Sequence, residues 1–199
     1  MSKVKYAIYK DNYKLITTTF PQIRWSSNYK ELISKGEKFI HDTKVTTVMW
    51  RKPPYQWVKI NSDGSALNNP GRLGAVDIIR DQKGEMLLAF ATPLGEGTNN
   101  KVELEAAIFG MTLSLELGYN KIILEVDSQF MVDWIMHKAE PHWSINTQML
   151  KLQALIRHTH KFKCNHTLKE ANFVADSLSK HSHKITSPQL YFNNHQIPK

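Results

Sequence analysis

Followed from its start, the pattern of apolar and polar positions divides the chain into two unlike stretches. Residues 1–56 show no clean period; prolines are scattered (Pro21, Pro53, Pro54), and one short helix is predicted around Tyr29 to His41. Arg51-Lys52-Pro53-Pro54 reads as a linker, because paired prolines stop helices and favour extended chain. From Trp57 the pattern sharpens. Trp57 to Asp63 alternates and predicts a strand that Asp63 ends. Asn68-Asn69-Pro70-Gly71 signals a turn, Leu73 to Arg80 a second strand, Asp81-Gln82-Lys83-Gly84 a hairpin turn and Glu85 to Thr92 a third strand. Three strands joined by short turns make an antiparallel meander.

The period then changes. Thr98-Asn99-Asn100 is a cluster of N-cap residues, and a long helix is predicted from about Lys101 to Leu117, closed by Gly118 at the C′ position. Val102, Leu104, Ala106, Ala107, Phe109, Leu113 and Leu117 cover much of its surface, which predicts burial. Lys121 to Asp127 predicts a fourth strand, Ser128 to about His137 a helix, and Ile145 to His158 another, with Ile145, Met149, Leu152 and Ile156 on one face. Lys161 to Thr167 is a fifth strand. A last helix runs from Glu170–Asn172 to about His181, and Thr186 to Lys199 reads as a loose tail. The order βββαβααβα, with a helix between the third and fourth strands, permits a parallel crossover, so a mixed sheet is expected.

Charge and composition narrow the function classes. The chain has 199 residues and a net charge of +8. Residues 1–56 hold 11 Lys+Arg against 4 Asp+Glu, and residues 57–199 hold 15 against 14, so the excess lies in the N-terminal quarter. A basic arm beside a near-neutral body suits a nucleic-acid partner, since each phosphate contact releases counterions. A solvated leader explains the same charge. No apolar run approaches the ~18 residues of a membrane span, and Met1 to Tyr13 lacks the apolar core of a secretory signal, so an intracellular protein, nuclear or cytoplasmic, is expected. The one cysteine, Cys164, excludes an internal disulfide and a multi-cysteine zinc site, and its setting predicts a half-buried strand residue.

Four acidic residues fall where chemistry would place them. Asp63 and Asp127 end strands, Glu103 lies in the first turn of the long helix, and Asp176 lies early in the last helix. Sites in open α/β sheets form at the carboxyl ends of strands. Converging carboxylates repel unless cations neutralise them. Oxygen-only ligands favour hard ions such as Mg²⁺, with Mn²⁺ as substitute. A pair of such ions ~3.5–4 Å apart activates water and stabilises the leaving oxygen in phosphodiester cleavage. Each residue alone has a blander use, as a turn cap or as an answer to a helix dipole.

These segments resemble ribonuclease H, especially the plant-type domain found alone and at the C-terminal end of non-LTR retroelement polyproteins. Asp63-Gly64-Ser65 followed by Asn69-Pro70-Gly71 is similar to the family's first motif, Thr98 to Ala107 to its helix opening, Asp127-Ser128-Gln129 to its third motif, and His166 with Asp176 ten residues on to its fourth. The Trp57 to Gly64 entry, preceded by two prolines, is a further plant-type feature. The likeness covers about residues 56–184. It implies an α/β ribonuclease H-like fold: a five-stranded mixed sheet, three antiparallel strands then two parallel, flanked by helices. It divides the chain into a basic arm and Pro-rich linker (1–55), a catalytic domain (56–184) and a flexible tail (185–199).

The resemblance also implies roles. Asp63, Glu103, Asp127 and Asp176 would hold two Mg²⁺ ions, with Glu103 rather than Glu105 in the metal position. Two residues apart on a helix is ~200° of rotation, so only one of the two faces the site. His166 would sit on a mobile loop and assist proton transfer or product release, work that suits an imidazole, ordinarily titrating near ~6.5. Gly64, Ser65, Asn69, Asn99, Asn100 and Gln129 match positions that contact the hybrid, where the 2′-OH distinguishes RNA from DNA; Asn99 and Asn100 also suit plain N-capping. Only 39 positions separate Asp127 from His166, too few for the extra basic helix and loop by which some family members grip substrate, and the basic arm could compensate. The implied activity is hydrolysis of the RNA strand of RNA–DNA hybrids by a monomer with no obligate protein partner. The alternative is a catalytically weak nucleic-acid-binding module derived from a retroelement.

Overall fold

The computed structural model describes residues 17, 24, 28, 30–32, 34 and 48–198. The chain divides into two compact units, residues 1–47 and 48–199. In the first, residues 30–32 and 34 are helical, Leu32 is buried, and Asn28 Oδ1 accepts from the Lys30 N–H at 3.0 Å, as a capping side chain does. The rest of the helix predicted over Tyr29 to His41, and most of the basic arm, lie outside the described residues. Among the described residues no helix is long and apolar enough to cross a membrane.

In the second unit, β1 (Val58–Leu67), β2 (Gly71–Arg80) and β3 (Met86–Gly97) form the predicted meander. The turn at 81–84 has a local cause: Asp81 Oδ1 accepts from the Lys83 and Glu85 amides at 2.9 Å, and Gly84 takes φ +88°, which costs glycine nothing. Then follow α1 (Asn99–Glu116), β4 (Lys121–Val126), α2 (Gln129–Ile135), α3 (Asn146–Arg157), β5 (Lys161–His166) and α4 (Phe173–Ser182). Within the predicted tail, β6 (Gln189–Tyr191) pairs antiparallel with β3 and buries Tyr191. The sheet therefore has six strands rather than five, in the order β5-β4-β1-β2-β3-β6, with β4 parallel to both β1 and β5. Three residues with one apolar inward side chain carry no readable period, which is why that strand was not predicted.

Each sheet face has its own core. Ile60, Ile79, Ile122 and Leu124 pack with Leu104 and Met111 of α1, Met131 of α2 and Leu152 of α3. On the other face Val76, Ile78, Ala89 and Ala91 pack with Ala175 and Leu178 of α4. Full burial of an aliphatic side chain of this size stabilises by roughly 1.5–3 kcal/mol. Helix α1 comes close to the sheet because its inner face is small. A Cβ on Gly110 would stand 2.7 Å from Ile60 Cγ2 and 2.8 Å from Asp77 Cγ.

Asp77 is an odd member of that contact. It is fully buried on β2 against Gly110, and neither carboxyl oxygen completes a hydrogen bond. The Ser62 hydroxyl and Gly110 amide favour the anion only in part, and burial pushes the carboxyl well above its ordinary range. Asp77 thus folds as the neutral acid. The sign follows: its contribution is full below the unfolded pKa near ~4 and is lost as pH rises toward the raised folded value. Asp77→Asn should be more stable than wild type to urea at neutral pH, by roughly 1–3 kcal/mol. The gap should close toward about pH 4. A variant equally destabilised at both ends of that range would count against a neutral buried acid.

Candidate active site

Asp63 is placed by the sheet. It does not end β1, as the alternation predicted; the strand runs on to Leu67, and Asp63 pairs with Val76 of β2. The parallel pairing of β1 with β4, however, stops at Asn61 opposite Glu125. Asp63 therefore stands just where the two strands part, with Asp127 following the end of β4. Gly64 allows the next approach. A Cβ there would meet the Glu103 amide nitrogen and the Val102 carbonyl carbon at 2.7 Å, so only glycine lets α1 press its N-terminal half onto β1. That brings in Glu103, which sits in the second turn rather than the first because α1 begins two residues earlier than predicted, at Asn99. Glu105 points elsewhere and accepts from Gln148 Nε2 at 3.2 Å. Asp176 comes from the first turn of α4, held against β1 by Asn172 Nδ2, which donates to the Ser62 carbonyl at 3.1 Å.

The four carboxylates feel one another. Burial first, then the charges of Asp127 and Asp176, lifts Asp63 to about 6, although Ser179 and Lys169 oppose the rise. Burial, then Asp127 and Asp63, lifts Glu103 to about 7 against the pull of Ser128 and Lys169. Two lysines, which the sequence reading missed, lie on the rest of the set. Lys169 Nζ is 3.6 Å from Asp127 Oδ2, and Lys180 Nζ is 2.5 Å from Asp176 Oδ2. The Lys180 contact was available as an i, i+4 pair on a helix; the Lys169 contact is tertiary and left no local signal. Among the described residues no three His, Cys, Asp or Glu side chains close to metal-ligand spacing. The set is gathered but not drawn tight. Its chemistry still fits a hard divalent cation: all donors are oxygens, the charges are of one sign, and two carboxyls are raised by burial and then by their neighbours' charge.

His166 is the last residue of β5, paired with Val126, and not part of a loop beyond it. The strand continues one residue further than a loop position would allow because β4 gives it a partner. Its Nε2 lies 3.1 Å from the Asp127 carbonyl, which only accepts, so Nε2 carries the hydrogen. The predicted contact residues divide into two groups. Ser65, Asn69 and Asn99 are engaged: Ser65 Oγ lies 2.7 Å from His183 Nε2, Asn69 Oδ1 accepts from the Asn99 amide at 3.2 Å, and Asn99 Oδ1 accepts from the Ala66 amide at 3.1 Å. Asn99 therefore ties the β1–β2 turn to α1 instead of capping the helix; the N-cap is Thr98, without a side-chain bond. Asn100 and Gln129 are exposed, and Gln129 Nε2 donates to Asp133 Oδ1 at 3.0 Å. A cleft of about 600 Å³ opens beside His166 and Gln129, with Arg51, Asn165 and Thr167 among its walls. Cys164 is buried and its thiol is pushed up to about 12, which removes it as a nucleophile.

The family described as reverse transcriptase-like matches residues 61–182, the span that contains all four carboxylates and His166. The chain belongs to this family. Among its relatives is an Arabidopsis thaliana protein named as a ribonuclease H protein, 25% identical over 137 residues that make up 69% of this chain and 22% of that one. The chain thus spans about a fifth of the length of that relative. Ribonuclease H of Blochmanniella pennsylvanica is 34% identical over 102 residues, 48% of this chain and 64% of the relative. Solved structures share the fold: RNase H1 from Halobacterium salinarum NRC-1 superposes with a TM-score of 0.62 at 20% identity, over 64% of this chain and 98% of its own. LC11-RNase H1, solved in complex with an RNA/DNA hybrid, gives 0.59 at 24% identity over 62% and 94%. The ribonuclease H-like fold expected from the motifs is therefore the fold of this family member.

The raised carboxyls make a linked prediction. Without metal, Asp63 and Glu103 stay protonated to about pH 6–7, so their stabilising contribution is full near ~pH 4 and fades as pH climbs through those values. In EDTA, Asp63→Asn should unfold at a higher temperature than wild type at about pH 8, with the difference vanishing near about pH 4. Millimolar Mg²⁺ should raise the wild-type midpoint and leave the variant's nearly unmoved. A difference between the two proteins that stays constant with pH would show that the Asp63 carboxyl is not raised.

Proposed function

We propose that the protein is a metal-dependent endonuclease that hydrolyses the RNA strand of RNA–DNA hybrids. The observation that carries this reading is the gathering of Asp63, Glu103, Asp127 and Asp176 from four separate elements, at a raised electrostatic cost in two of them. Catalytic sites often carry such costs. Relatives named ribonuclease H, and the likeness to an enzyme solved with an RNA/DNA hybrid, support the same reading.

In the reaction, a water oxygen bonds to phosphorus, the bond from phosphorus to the 3′ oxygen breaks, and the products are a 3′-hydroxyl and a 5′-phosphate. Two Mg²⁺ ions, or Mn²⁺ in their place, would supply Lewis acidity to water and leaving oxygen when bound by the four carboxylates. The chain does the remainder. Asp63, on β1, and Asp127, directly after the adjacent strand β4, would give two of the oxygen donors. Glu103 and Asp176 close on them from opposite faces of the sheet. His166, its Nε2 hydrogen held by the Asp127 carbonyl, presents Nδ1 to take up a proton beside the site. Asn100 on α1 and Gln129 on α2 are exposed and would read the minor-groove edge and its 2′-OH.

A labelled RNA–DNA hybrid tests the proposal. Wild type should cut the RNA strand with Mg²⁺ and not with EDTA, and Asp127→Asn should not cut. His166→Ala should retain metal-dependent cutting with a rate lowered by roughly 10²–10⁴. Folded wild-type protein that cuts with neither Mg²⁺ nor Mn²⁺ would reduce the domain to a nucleic-acid-binding module.

A further inference from the structure

Behind the two central carboxylates lies a bonded chain of side chains that the reaction itself does not use. On β1, Asn61 precedes Asp63 by two residues, so strand alternation puts that pair on one face; Glu125, on β4, precedes by two residues Asp127, which stands just past the end of that strand. Asn61 and Glu125 are also direct partners in the parallel register. Asn61 Nδ2 donates to Glu125 Oε2 at 3.0 Å, and Lys59 Nζ donates to Glu125 Oε1 and to the Arg51 carbonyl at 2.5 Å. Asn61 Oδ1 accepts from Trp50 Nε1 at 3.0 Å and from Arg80 Nη1 at 2.8 Å. The Trp50 ring also carries both cations, with Lys59 Nζ 5.1 Å and Arg80 Cζ 5.2 Å from its centroid. Lys59, Asn61 and Glu125 are each less than a tenth exposed.

Apolar residues would fill this space at lower cost, because a buried ion pair must repay its desolvation. What a fully bonded polar network supplies instead is one orientation for each member. Its place gives that orientation a use, since every bond ends on β1, which carries Asp63, or on β4, which Asp127 directly follows. Trp50 and Arg51 close it from outside the matched span of 61–182.

We propose that Trp50, Asn61 and Glu125 are positioning residues, which lock β1 to β4 so that Asp63 and Asp127 stay paired for a divalent cation. The inference rests on the metal-binding reading above.

Mn²⁺ binding to the full chain, read from the free-ion paramagnetic resonance signal, tests it without requiring activity. Asn61→Ala should weaken Mn²⁺ binding about 10–100-fold, as the loss of groups that orient metal ligands does. Trp50→Phe keeps an aromatic ring but removes the indole donor, and should weaken binding by a smaller factor that still exceeds about twofold. In both, kcat on the hybrid should fall with KM unchanged. Tyr191→Ala, which loosens edge strand β6, should lower the melting temperature and leave Mn²⁺ affinity alone. Variants that bind within about twofold of wild type overturn the proposal, as does an equal loss in Tyr191→Ala. Should Asn61→Ala fail to fold, Trp50→Phe decides. Wild type that binds no Mn²⁺ overturns the metal reading itself, and this inference with it.

Discussion

The parallel pairing of β1 with β4 reaches Asn61 opposite Glu125 and then ends, because β1 runs on as a partner of β2 alone. Everything at the site hangs on that parting. Below it, backbone bonds and the side-chain network hold the strands in register. Above it, Asp63 and Asp127 stand next to each other with no sheet between them. Helix α1 must then lie close enough to add Glu103, and it does so only because Gly64 and Gly110 carry no Cβ where strand and helix touch. Helix α4 adds Asp176 from the opposite face, tied down through Asn172. The acids repel, so the contacts that gather them lie elsewhere, in the two apolar cores.

What could be read from the sequence followed from how local each cause is. The meander was legible because alternation and the Asp81–Gly84 turn act over a few residues. The long helix was legible from its apolar face and Gly118, though its start slipped by two residues because Asn99 bonds to Ala66 and not to its own helix. The four acids were legible as motifs but not as a cluster; their convergence depends on register, and register is tertiary. For the same reason Lys169, the Trp50 contacts and the hold of Asn172 on Ser62 were out of reach. Which of Glu103 and Glu105 faces the other acids depends on the helix phase relative to the sheet; Glu105 accepts from Gln148 instead. Strand β6 was missed because three residues are too few to show a period.

The physical unit and the matched family span do not have the same edge. The match begins at Asn61, but the compact unit begins at Val48, and the residues between them are not an idle connector. Pro53 is buried, and Trp50 and Arg51 bond to side chains of β1. The Pro-Pro pair that reads as a linker also fixes an extended backbone, which is what a segment laid along a sheet face needs.

The lysines show how the site can be both stable and open. Lys169 and Lys180 partly neutralise Asp127 and Asp176, yet both ammonium groups are largely exposed, with 74% and 70% of their side-chain surface accessible. Exposed pairs of this kind are screened and hold weakly. A compact divalent ion brings twice the charge to the same oxygens and needs no flexible stem held in place, so it would displace such lysines readily. Among the described residues neither Asp63 nor Glu103 has an ammonium group within ion-pair distance, and burial keeps them protonated to about pH 6 and about pH 7. The protein thus meets one electrostatic problem in two ways: exposed ammonium groups at the rim, where solvent reaches, and carboxyls with raised proton affinity at the buried centre.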